Sequence, residues 1–186
     1  MSTLVQRLAE AYDREVSLRW PSNLSKAERV WMVIYPPSEE RRVRLHKAEF
    51  ELATKRAGHG WLEIDLSHAF GKWLISHEYR EAYFEEPDEL GPALEIDFPR
   101  DIVKAICSQA HDANVDANTV VALTGVSGLF GIGSVSELVV QLQEAISGRL
   151  LVFFPGSHEG NNYRFLDARD GWNYLARPIV ATETAP

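Results

Sequence analysis

The chain has a single cysteine, Cys107, so an internal disulfide framework and a multi-cysteine metal site are both excluded. Long apolar runs are also missing, and nothing approaches the roughly 18 residues of a membrane span. The opening Met1-Ser2-Thr3-Leu4-Val5-Gln6-Arg7 carries no basic region followed by an apolar core. It is therefore read as no signal peptide, and the expected location is cytoplasmic. Lys and Arg are short, 19 against 27 acids, for a formal charge of −8. Nucleic-acid affinity comes largely from basic side chains neutralising phosphates, so direct DNA binding is not expected. The six histidines (His46, His59, His68, His77, His111, His158) form no HxxxH or HExxH pair. No metal site is expected from that spacing, and no cofactor is expected.

What is present is ordinary globular composition, 45% hydrophobic and 25% charged over 186 residues. One domain over residues 1–180 with a loose tail over 181–186 is the expected organisation. Leu4, Leu8, Ala11, Tyr12 and Glu15 share one face of a helix over 3–19. Arg29 to Tyr35 is a near-continuous β-branched and apolar run, as for a strand covered on both faces. Pro36-Pro37 stops it. Ser38-Glu39-Glu40 opens a helix running to Ala57, where Gly58 can supply a left-handed end. Trp61 to Asp65 completes a parallel strand–helix–strand unit.

Further helices are predicted over 67–77, 99–111 and 134–147, with shorter ones between Pro87, Pro92 and Pro99. Buried strands are predicted over 119–124 and 150–154. Strands at 163–166 and 174–180 would form a hairpin turned at Arg169-Asp170-Gly171. The fold class that follows is α/β: a three-layer domain with a mostly parallel central sheet of about four buried strands. It is Rossmann-like or degenerate P-loop-like and carries a C-terminal β-hairpin.

Charge is uneven. Residues 78–101 hold nine acids and only Arg80 and Arg100 as bases, a local charge of −7. The remainder is nearly neutral, with 18 acids and 17 bases. Tyr79 and Tyr83 punctuate this stretch, and Glu85 and Glu86 sit at its middle. Such a strip can steer a basic protein partner, against the alternative of a merely solvated helix face.

Two loops are candidate sites. Gly125-Val126-Ser127-Gly128-Leu129-Phe130-Gly131-Ile132-Gly133-Ser134 lies between a strand and a helix, where backbone N–H groups can hold an anion. It lacks the lysine of a phosphate-binding P-loop and the Gly-x-Gly-x-x-Gly spacing of dinucleotide sites. A structural turn at Gly125, Gly128, Gly131 and Gly133, with Ser134 and Glu137 as a capping box, is the stronger reading. A degenerate phosphate loop serving a nucleotide switch or weak hydrolase is the alternative. The second loop runs from Phe154 to Tyr174. There Arg164 or Arg169 can pair with Asp167 or Asp170, or these residues and Trp172 can form a recognition surface. Ser157 and His158 are adjacent, a poor arrangement for nucleophile and base. No catalytic residue is assigned.

The segments His77-Glu78-Tyr79-Arg80-Glu81-Ala82-Tyr83-Phe84-Glu85-Glu86-Pro87, Phe154-Pro155-Gly156, Asn161-Asn162-Tyr163-Arg164 and Leu166 to Tyr174, with Gly125 to Val135, carry a resemblance. Together they resemble BrxB, a small component of the BREX bacteriophage-exclusion systems, over about Trp20 to Ile179. The resemblance implies a role in bacterial anti-phage defence beside a methyltransferase and a large ATPase. It implies above all a complex with the alkaline-phosphatase-like component PglZ. Its motifs carry no assigned chemistry, so it transfers no catalytic residues.

Overall fold

The computed structural model describes residues 3–166 and 171–181. Five parallel strands form its centre, in the order β2(Gly60–Asp65), β3(Thr119–Thr124), β4(Arg149–Glu159), β1(Val30–Tyr35) and β7(Arg177–Ile179). The fold class is α/β with three layers. Side chains alternate across the sheet and feed two separate cores. Trp31, Val33, Tyr35, Ala122, Leu151 and Phe153 face α1(Leu4–Val16), α2(Glu40–His46) and α3(Ala48–Arg56). Met32, Ile34, Leu123, Val152 and Phe154 face α4(Ala69–Ser76), α6(Leu90–Asp112) and α7(Val135–Ala145). The short α5(Arg80–Glu85) lies between α4 and α6 in the chain.

The apolar runs seen at 30–35 and 119–124 are these central strands: every residue of the first is buried, and all of the second but Thr119. β1 and β2 are parallel, as expected of the strand–helix–strand unit, yet β4 and β3 stand between them. β2 is consequently an edge, and among its residues only Ile64 is buried. The opposite edge, β7, is three residues long and contains Pro178, which cannot donate to another strand.

Several boundaries differ from the sequence reading. The helix expected over 38–57 is a 3₁₀ turn followed by α2 and α3, which meet at Lys47. Val43 and Phe50 are both buried in the core on that side of the sheet. Gly58, at φ +85°, does end α3: its N–H reaches Lys55 and that of His59 reaches Thr54, at 3.0 and 3.1 Å. Pro99 does not open a helix but sits inside α6, which begins nine residues earlier. A proline there costs one backbone hydrogen bond. Ala93, Phe98, Ile102, Ile106 and Ala110 nevertheless keep one continuous buried stripe.

The C-terminal region is also rearranged. β4 runs on past the sheet and turns at Gly160-Asn161 into β5(Asn162–Phe165), so the principal hairpin is β4–β5. β5 pairs antiparallel with the two-residue β6(Trp172–Asn173) rather than with a strand over 174–180. Beyond Asn173 the chain is drawn inward. Tyr174 and Ala176 are buried, and the Tyr163 hydroxyl donates to the Ala176 carbonyl at 2.7 Å. Residues 177–179 then pair with β1. No helix among the described residues is long and apolar enough to cross a membrane.

Candidate protein-interaction site

The acidic stretch is an excursion from the core. Between Glu78 and Pro92 every residue is exposed except Tyr83 and Leu90, which are half-buried. Tyr79 caps the start of α5 and is exposed, as are Glu85 and Glu86 at its end. An aromatic ladder anchors the excursion. Trp73 packs edge-on against Phe98, His77 lies 4.9 Å from Trp73, and Tyr79 and Tyr83 lie 5.8 and 5.1 Å from His77. The Trp73 indole N–H donates to Asp101 at 3.0 Å, and the Arg80 guanidinium donates to the Ile75 carbonyl.

Two properties distinguish this surface. Arg100 bridges Asp97 and Asp101, which leaves Glu78, Glu81, Glu85, Glu86, Asp88, Glu89 and Glu95 without an ion pair among the described residues. Among these seven carboxylates stand the exposed apolar side chains Ile75, Tyr79, Phe84 and Ile96, each more than half accessible. Single exposed apolar residues are normal; four within 22 residues of one acidic stretch are a local excess. Composition located the acids. The exposed Ile75 and Ile96 were missed, because their helical spacing alone does not say which face packs.

The glycine loop is built differently. Gly125 (φ +65°) leads into a 3₁₀ turn over Val126–Leu129, with Val126 and Leu129 buried. A Cβ on Gly125 would collide with Ser67 Oγ and stand 2.5 Å from Asp65 Oδ1, and one on Gly128 would press on the Leu66 and Ser67 carbonyls. These two glycines therefore let the loop seat on the β2–α4 connection. Gly131 (φ +74°) has open space around it, and Gly133 faces Phe98. The N–H groups of Gly128, Phe130, Ile132 and Gly133 bond to carbonyls of the same loop, at 2.9–3.1 Å. Those donors are engaged internally rather than aimed at an anion. Ser134 caps α7, its hydroxyl accepting from the Glu137 N–H at 3.2 Å.

Beneath that loop the ends of β2 and β3 gather charge that the sequence reading did not single out. Glu63 accepts from Lys47 and, at 3.0 Å, from the Thr124 hydroxyl. Asp65 takes the Ser67 N–H and hydroxyl at 2.9 and 2.5 Å and Arg44 at 3.3 Å. Partial burial opposes ionisation of Asp65. The Ser67 hydrogen bonds, Arg44 and Lys47 outweigh it and hold the carboxyl below its usual range. These partners are 21 or more residues apart for Arg44–Asp65 and 61 for Glu63–Thr124, which is why spacing could not reveal them.

In the C-terminal loop, Arg164 is exposed on β5, while Tyr163 points inward. Trp172 is half-buried, stacked on Tyr174 with ring centroids 4.3 Å apart and packed against the core. The side chain expected to be a recognition residue is therefore packed rather than free. Burial pushes the Tyr163 and Tyr174 phenols up to about 12. Asp167, Arg169 and Asp170 lie outside the described residues, so their expected pairing with Arg164 is not placed. Phe130 from the glycine loop meets Phe165 of β5, 6.3 Å between rings, so the two candidate loops adjoin. Ser157 and His158 occupy successive positions on β4 and point to opposite faces. Cys107 is half-buried on α6, where burial pushes its thiol up, away from a reactive thiolate.

No protein-family model, curated protein or solved structure matches the chain.

Proposed function

We propose that this chain is an adaptor, an assembly component of a bacterial anti-phage complex of the BREX type, binding a larger alkaline-phosphatase-like PglZ partner. The observation that carries the reading is the excursion over 75–96. It combines seven carboxylates that have no ion pair among the described residues with Ile75, Tyr79, Phe84 and Ile96 exposed in the same stretch. Complementary charge steers encounter, and desolvated aromatic side chains supply most of the affinity once partners meet. The partner face suited to it is basic with apolar clefts. The resemblance in sequence names the system; the surface supplies the means of attachment. The internally bonded glycine loop offers no observation in favour of a nucleotide switch.

The test is co-expression of the tagged chain with the PglZ-like protein, followed by purification and mass determination. The expected result is stoichiometric recovery that falls about tenfold or more in the double variant Glu85→Lys, Glu86→Lys, with melting unchanged. Recovery of the chain alone, or equal capture by the variant and by Tyr79→Ala with Phe84→Ala, would overturn the reading.

A further inference from the structure

At the amino ends of the strands, far in the chain from the acidic excursion, lies a cavity of about 360 Å³. Its walls include Arg19 and Trp20 after α1, Trp31 on β1, Arg149 at the start of β4 and Arg177 on β7. Arg149 is 4% exposed, and no carboxylate pairs with it among the described residues. Its protein contacts are a 3.4 Å hydrogen bond to the Pro21 carbonyl and the Trp20 ring, 4.7 Å from its guanidinium carbon.

Buried charges are normally paired, because leaving water is costly unless an opposite charge compensates. Arg29 behind Arg149 adds repulsion, so burial and like charge both disfavour the cation. Two buried N–H donors of residues that line the cavity, Arg149 Nε and Trp20 Nε1, have no acceptor among the described residues. The nearby acids do not resolve this. Glu15 is taken by Arg177 at 2.7 Å, and Glu28 accepts from the Ser25 N–H. Arg19, exposed at the rim, has no ion pair among the described residues. Three guanidinium groups face two carboxylates in a chain whose formal charge is −8.

We infer that this cavity is a binding site for an oxyanion, a phosphate or carboxylate group, held by Arg149 with Arg19 at the rim. Donors outnumber acceptors here, and a planar guanidinium matches both anions in two-point geometry. The site is independent of the adaptor reading, and either can fail without the other.

The experiment titrates the full chain with inorganic phosphate and, separately, with acetate. Tryptophan emission is followed against sodium chloride of equal ionic strength, because Trp20 and Trp31 line the site. One of the two anions should give a saturable change, and which one identifies the head group. Arg149→Met should abolish it and Arg19→Ala should weaken it about three- to tenfold, while Arg42→Ala on α2 leaves it unchanged. In low-salt buffer without either anion, Arg149→Met should melt at or above the wild type, an order that reverses in saturating anion. If Arg149→Met does not fold, Arg19→Ala alone decides. No saturable response in the wild type, or a response that Arg19→Ala leaves intact, would overturn the inference.

Discussion

Residues 41–56 hold six Lys and Arg diluted by Glu49 and Glu51, residues 78–101 hold nine acids and two bases, and the fold treats the two stretches oppositely. Five of the six bases in the first are ion-paired: Arg42 to Glu39, Arg44 to Asp65, Lys47 to Glu63, Lys55 to Glu51 and Arg56 to Asp13. Three of those pairs tie α2 and α3 to β2 or α1. Each is worth little alone, about 0–1 kcal/mol where exposed, but they fix register between elements. Among the described residues the acids of 78–101 pair only around Arg100. Charge spent inside a fold positions helices, whereas charge left unspent at a surface is available to another molecule.

That contrast can be broken at its most rigid point first. Gly125→Ala would force a Cβ into Ser67 and Asp65 at a left-handed φ, and should cost roughly 2–4 kcal/mol. Thermal melting should fall accordingly, and an unchanged melting temperature would mean the loop moves freely off Asp65. Glu63→Ala removes the acceptor shared by Lys47 and Thr124. A loss of about 1–2 kcal/mol is expected, seen as a melting shift of roughly 2–8 °C.

A smaller effect should follow from titrating Asp65. Its folded value is depressed, so its contribution is present above the unfolded value near 4 and is lost as pH falls through the folded one. The stability gap between wild type and Asp65→Asn, measured by urea unfolding, should therefore close below about pH 4; a gap that persists there would place the interaction elsewhere. The smallest change is expected on the acidic side. Glu85→Lys, Glu86→Lys and Asp88→Lys together should alter stability by no more than about 0.5 kcal/mol each, since all three are exposed and have no ion pair among the described residues. A cooperative loss of folding in that variant would erase the distinction between the two regions.

Periodicity and β-branched runs made the parallel sheet legible, because β1 and β3 are buried on both faces and therefore continuously apolar. Strand order was not legible. Nothing local in Trp61–Asp65 says that two later strands will insert between it and β1. Pro99 misled because proline propensity is a local penalty, and the stripe from Ala93 to Ala110 overrides it by packing. The acidic surface was visible in composition, while its lack of ion pairs depended on where distant bases ended up. The Arg149 cavity was invisible for the same reason: its walls come from residues 15–31, 149 and 175–177.

The strand order also bears on how the chain is made. β1 is synthesised well before its partners: Val30 pairs with Leu150 and Trp31 with Arg177, 120 and 146 residues downstream. This apolar strand must therefore wait, its edges unpaired, until residues 150 and 177 have been synthesised. Until then those edges are open to pairing with other unfinished chains, a hazard that the stability of the finished fold does not measure.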